Sequence, residues 1–275
     1  MKTFQNTFLK VSAILALSSV AQSPRAQAYS GAQPLDYSSI TLISGRPDFR
    51  LPFVQNIIAD GYSFVRFAEG NLTTQQLSIL SDRFINRVSM AEIVDHGGST
   101  NFELINRAIS FGASRSPVIT FNLGSSPDLN NRLCMMMSQY RNHAFVIATQ
   151  KGAFPIDSRI EGACMARNIL RVTGLNADQS DLDSLSAYGD TVRIAAPSVN
   201  IPTIGWGGVY SSLRGSTPAT MIVAAELAHH AQMLPEYRGA DLITSFLDQR
   251  TIVLESLLGK VEEGRALLEI TPLKK

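Results

Sequence analysis

Between Pro218 and Leu234 the chain sets Ala219, Met221, Ile222, Val223, Ala224, Ala225, Leu227 and Ala228 with almost no polar face over the first half. A helix apolar all round has nothing to offer water and must be buried on every side. Its small side chains allow close approach to a sheet, so the segment asks for a layered fold with this helix near the centre. Thr217 before Pro218 reads as an N-cap followed by proline at the first helical position, where a missing N–H costs nothing. A length of 275 residues suffices for one large α/β domain with a sizeable core. With 45% hydrophobic and 17% charged residues, the chain is neither disordered, collagenous nor a polytopic membrane protein. Its 24 basic and 23 acidic residues leave no basic field for nucleic acid.

Elsewhere short β-rich runs alternate with helical patterns, which predicts a largely parallel sheet covered by helices. Strands are expected at Ile40–Ile43, Ala91–Val94, Pro117–Leu123, Ala144–Ala148, Ile169–Val172, Val192–Ala196 and Tyr210–Leu213. Helices are expected at Leu77–Val88, Phe102–Phe111, Leu129–Tyr140 and 240–258. No linker or repeat divides residues 29–275, so they form one domain. Residues 1–28 read as a secretory signal: Lys2 and Lys10, the apolar run Val11–Ala21, then an A-x-A site at Ala26-Gln27-Ala28. That run is short of the ~20 residues of a spanning helix. A secreted or periplasmic monomer with no stable membrane insertion is expected. Cleavage removes three basic residues and no acid, turning +1 into −2. Outside the cytosol Cys134 and Cys164 can pair. Two separate buried thiols fit equally well, because Cys134 falls inside a helical pattern.

Several stretches resemble the subtilisin-like serine proteases (subtilases). The strongest is DLDSLSAYGDTVRIAAPSVNI, residues 181–201, followed by Leu213-Arg214-Gly215-Ser216-Thr217-Pro218-Ala219-Thr220-Met221, which corresponds to the family's nucleophile motif G-T-S-M-A-T-P. Val118-Ile119-Thr120-Phe121-Asn122-Leu123-Gly124 is similar to the family's substrate-binding strand, and Val146-Ile147-Ala148-Thr149-Gln150-Lys151-Gly152 to the segment carrying its oxyanion asparagine. Gly259-Lys260-Val261 and Gly264-Arg265-Ala266-Leu267 resemble its closing segment. The likeness is strong over residues 88–270 and weak over 37–87. It implies a three-layer α/β fold with a mostly parallel central sheet and a buried central helix.

The same resemblance shows every catalytic motif altered. A serine protease needs a nucleophile, a histidine base, a carboxylate to orient it and an oxyanion donor. Here Thr217 stands at the nucleophile position and Gln150 at the oxyanion position. The region matching the histidine motif, Gly70-Asn71-Leu72-Thr73-Thr74-Gln75-Gln76-Leu77, contains no histidine. The aspartate motif falls at Leu42-Ile43-Ser44-Gly45, where the Ser-Gly is present and the acid is not; Asp48 and Asp60 nearby read as turn residues. Of four histidines, His229 and His230 lie three turns along the central helix, ~18 Å from Thr217 at the ~1.5 Å helical rise. His96, beside Asp95, is the remote candidate base. Glu226, His229 and His230 read as a solvated helix face rather than a metal site, and calcium enters only by likeness to the family.

The expectation is a subtilase homologue that has lost peptidase activity and keeps a groove for an extended peptide or protein, bound between Gly97-Gly98-Ser99 and Phe121-Asn122-Leu123-Gly124 by backbone hydrogen bonds. The alternative is a serine-type endopeptidase with altered machinery, using Thr217, Gln150 and His96. A decoy partner for an active relative is the third reading.

Overall fold

The computed structural model describes residues 40–44, 48, 50–63, 71–83, 88–92, 102–121 and 127–268, all within the unit Asp36–Lys275. The signal segment 1–28, His96, Gly97, Gly98, Ser99, Asn122, Leu123 and Gly124 lie outside the described residues. Strands β1 (Ile40–Ser44), β2 (Ile58–Ser63), β3 (Val88–Glu92), β4 (Val118–Phe121), β5 (Ala144–Ala148), β6 (Ile169–Leu175), β7 (Ile194–Pro197), β10 (Ile252–Val253) and β11 (Arg265–Ala266) form one sheet. Its order is β10-β11-β7-β6-β5-β4-β1-β3-β2, parallel throughout except for the β10–β11 edge pair. A separate antiparallel hairpin joins β8 (Ile201–Ile204) and β9 (Tyr210–Leu213).

Successive strand residues point to opposite faces, and in β5 this puts Ala144 and Val146 into one core cluster and Phe145 and Ile147 into the other. β1 divides likewise, with Ile40 and Leu42 on one side and Ile43 on the other. Both faces are therefore apolar, as a parallel sheet sandwiched by helices requires. Helices α1 (Pro52–Ile57), α2 (Asn71–Asp82), α5 (Ser216–Met233) and α6 (Gly239–Arg250) cover the first face. α3 (Phe102–Ala113) and α4 (Pro127–Ser138) cover the second. The result is a three-layer α/β fold. α5 lies across β4 to β7 with α2 and α6 against it, and Ala219 through Ala225 are all buried.

Helix α5 starts two residues earlier than expected. Gly215, at φ 106°, occupies the cap position without any side-chain cap, so Thr217 is a helical residue and Pro218 sits inside the first turn. That backbone conformation suits glycine. α2 runs Asn71–Asp82 rather than Leu77–Val88, and Val88 opens β3 instead. Thr73, Thr74, Gln75 and Gln76 are polar yet buried, which hides the helix start from a hydrophobic pattern. Asp60 belongs to β2, not a turn. Residues 240–258 hold one helix ending at Arg250, then β10 and a short 3-10 turn at Glu255–Leu257.

Connections from β1 leave toward the α1/α2 face and those from β4 toward the α3/α4 face. Adjacent parallel strands whose connections part in this way leave a crevice at their C-terminal ends, the usual ligand position in an open α/β sheet. Ser44, Phe121 and Thr149 end up along that edge, and the start of α5 arrives beside Thr149: the Ser216 hydroxyl donates to the Thr149 carbonyl at 2.7 Å.

Candidate functional site

A cavity of about 410 Å³ opens at this edge. Phe121, Leu133, Cys134, Met137 and Ile147 give it apolar walls. Thr149, Gln150, Lys151, Ser216 and Thr217 bring polar groups to it from the end of β5 and the start of α5. The structure thus gathers Thr217, Gln150, Phe121 and Cys134, four residues singled out from the sequence. Thr217 is half-buried. The loop before it is held by Arg214, whose Nε donates to buried Asp183 at 3.0 Å, and by the Gly215 N–H, which donates to the Ser198 carbonyl.

Cys134 of α4 and Cys164 of the 3-10 turn Gly162–Met165 are joined as a disulfide. Of the two readings the sequence left open, the paired one holds. The bridge ties the α4 wall of the cavity to the turn, and the Ala163 N–H adds a bond to Asn131 Oδ1 at 3.0 Å.

Three residues before Cys164, Glu161 is buried and forms an ion pair with Arg171, which has no exposed surface at all. Arg171 Nη1 also donates to Thr191 Oγ1 at 2.9 Å. Burial weakens the proton affinity of the guanidinium, and the Glu161 carboxylate partly restores it. The other Glu161 oxygen, Oε1, accepts from Gln150 Nε2 at 3.1 Å. One N–H of the amide at the position matched to the oxyanion asparagine is therefore committed to a carboxylate. Neither Glu161 nor Arg171 was singled out from the sequence. The available signal was a lone arginine in the apolar run Ile169-Leu170-Arg171-Val172, since a charge in a buried strand needs a partner.

At the end of β1, where an acid is expected by resemblance, the buried Ser44 hydroxyl donates to Gln76 Oε1 at 3.0 Å and contacts Thr73 Oγ1 at 3.0 Å. Hydroxyls and an amide fill the place with no carboxylate or imidazole among these partners. Asp48 opens a turn as expected, its carbonyl accepting from the Leu51 N–H at 3.2 Å, but its side chain serves more than the turn. It is buried, accepts from Arg50 Nε at 2.8 Å and from the Gly207 N–H at 2.9 Å, and its backbone N–H donates to Thr74 Oγ1. The Arg50 guanidinium holds its carboxyl well below the usual carboxylate range.

The three described histidines lie elsewhere. His143 precedes β5, at the opposite end of that strand from Gln150. His229 Nε2 meets the Arg83 carbonyl at 2.8 Å, and Glu226 pairs with Arg250. His230 is buried with Nε2 3.0 Å from Ser245 Oγ, so the expected solvated face is corrected: it packs into the α5–α6 seam. Among the described residues no group of three or more His, Cys, Asp or Glu could hold a metal ion, and no helix is long and apolar enough to cross a membrane.

No protein-family model matches this chain, and no curated protein matches it in sequence. Solved structures do match. The A-subunit of the AB5 toxin from E. coli superposes with a TM-score of 0.64 at 17% identity, over 83% of this chain and 89% of that one. A cold adapted subtilisin-like serine proteinase gives 0.62 at 16%, over 86% and 92%. The prenylagaramide maturation protease PagA gives 0.62 at 16%, over 82% and 90%. At such identity the likeness is one of fold, and the fold of this chain is subtilisin-like.

Proposed function

We propose that this subtilisin-like domain is exported and holds an extended peptide or protein segment at the C-terminal edge of its sheet without cleaving it. The observation that carries the reading is the state of the catalytic positions. Ser44 stands where an orienting acid belongs and is engaged by Thr73 and Gln76. His143, His229 and His230 are all placed away from Thr217. A threonine hydroxyl becomes a strong nucleophile only with a base within hydrogen-bond reach, about 3 Å, and none of these three described histidines is placed to serve as one. The cavity beside Thr217 is kept, with apolar walls and a polar rim. Binding a strand by its backbone needs no triad.

Thr217 and Gln150 meeting at one cavity is the observation that favours the other reading, an endopeptidase with Thr217 as nucleophile and Gln150 as oxyanion donor. The two part in a single experiment. The mature chain is incubated with casein peptides, and bound and free fractions are weighed by mass spectrometry. The proposal expects intact peptides retained by the wild type and lost from Gly124→Arg, whose side chain would fill the edge expected to pair with the peptide. New cleavage products dependent on Thr217, or retention unchanged in Gly124→Arg, would sink it.

A further inference from the structure

At the end of the sheet opposite Thr149, a second cavity of about 420 Å³ opens where β6, β7 and β11 begin. Arg193 and Arg265 line it, and their charges are met by neighbours: Arg193 by Glu262 at 2.6 Å, Arg265 by Asp248 at 3.2 Å and Glu263 at 2.6 Å. Because Arg265 is shared by two acids, this wall carries one carboxylate in excess. Two further charges line the cavity, Arg167 and Asp190, both exposed. Among the described residues neither side chain has an ion pair or hydrogen bond, with the other or with any third group. Opposite charges left unpaired in one cavity suit a ligand that carries both signs.

Thr191 lines the same cavity and is fully buried. Its hydroxyl oxygen accepts from Arg171 Nη1 at 2.9 Å, so its single proton remains to donate. No acceptor for that proton is found among the described residues, and a buried hydroxyl calls for one. A ligand carboxylate beside Arg167 supplies it. Arg171 also pairs with Glu161, whose Oε1 accepts from Gln150 Nε2 at 3.1 Å. Thr191, Arg171, Glu161 and Gln150 thus form an unbroken polar chain from this cavity to the one beside Thr217. Arg171 and Glu161, its middle members, are buried.

We infer that the second cavity binds a free basic α-amino acid and that its occupancy is relayed to Gln150. The carboxylate goes to Arg167 and the Thr191 hydroxyl, the α-ammonium to Asp190, and the side-chain cation to the acids around Arg265. Met165 and Leu247 offer apolar surface to the methylene stem. Donating its proton to a carboxylate makes the Thr191 oxygen a stronger acceptor for Arg171, because hydrogen bonds in a chain polarise one another. This site is separate from the edge read above as a peptide site, and neither requires the other.

The test is a titration of the isotopically labelled mature chain, followed by amide NMR, with lysine, lysinamide and norleucine as probes. Lysinamide lacks the carboxylate, and norleucine lacks the side-chain ammonium. Lysine should bind about tenfold more tightly than lysinamide, the net worth of a charge-assisted hydrogen bond. It should bind about threefold more tightly than norleucine, as for an exposed ion pair. Arg167→Gln and Asp190→Asn, both at exposed positions, should each weaken lysine binding. The Gln150 side-chain amide signal, assigned by its loss in Gln150→Met, should shift at saturating lysine. That shift should vanish in Thr191→Val and return in Thr191→Ser, with thermal melting to check that both are folded. Equal affinity for lysine and lysinamide, affinity unchanged in both charge variants, or no binding at all overturns the site. Norleucine binding as tightly as lysine overturns the basic side chain. A Gln150 signal that stays still in the wild type, or moves equally in Thr191→Val, overturns the relay. None of these outcomes bears on peptide retention, which is read separately.

Discussion

Replacing Glu161 by glutamine leaves Arg171 buried without its counter-charge, and breaking one side of a buried pair costs on the order of 3–5 kcal/mol. We expect Glu161→Gln to lower the unfolding free energy measured in urea by that amount, with a lower midpoint. The double variant Glu161→Leu, Arg171→Met should recover most of the loss, since both charges are then gone. A double variant no more stable than the single one would contradict this account. The pair was hidden in the sequence because Glu161 and Arg171 are ten positions apart on a loop and a strand, and nothing local links them. Ser44 was more legible: the absence of an acid before Gly45 could be read directly, and the structure adds the partners that satisfy its hydroxyl.

At the scale of elements, the Cys134–Cys164 bridge clips α4 to the Gly162–Met165 turn across 30 residues of chain. Loop-closure entropy for such a span is worth about 3–4 kcal/mol. Cys134→Ala with Cys164→Ala should lose stability of that order in denaturant, and so should reduction of the wild type; a midpoint unchanged by either contradicts it. The α5–α6 seam carries a pH dependence. Burial holds His230 and His143 below their usual 6.5. The unfolded chain then binds protons that the folded chain refuses, so stability is full above about 6.5 and declines as pH falls below it. Melting temperature should drop between pH 7 and 5.5, and His230→Gln should flatten that slope. A flat wild-type profile would argue that neither histidine is held neutral. Elements with apolar residues on both faces were legible: β5 matches its expected bounds, and β4 and β6 were found within a few residues; the exposed hairpin strand β9 also matches its expected bounds. α1 and β2 were missed because Ile58-Ala59-Asp60-Gly61-Tyr62-Ser63 lacks the β-branched density of a buried strand. β8 was hidden by Pro202, which an edge hairpin tolerates.

For the whole molecule, the layered architecture followed from one fact, a central helix with no polar face, and the sheet order agrees with it. The subtilisin-like fold brings Thr217 and Gln150 to a common cavity although 67 residues separate them in the chain. What the sequence conceals is how such a site is wired: that Gln150 leans on Glu161, and that Arg171 stands behind both. Those properties belong to contacts between α4, the turn at Cys164, β6 and the start of α5. The central claim is that Thr217 is not an activated nucleophile. The most direct measurement is reaction of the purified mature chain with a fluorophosphonate probe, read by intact mass. The account predicts no adduct after prolonged incubation, with wild type and Thr217→Ala indistinguishable. An adduct on the wild type that disappears in Thr217→Ala would contradict it.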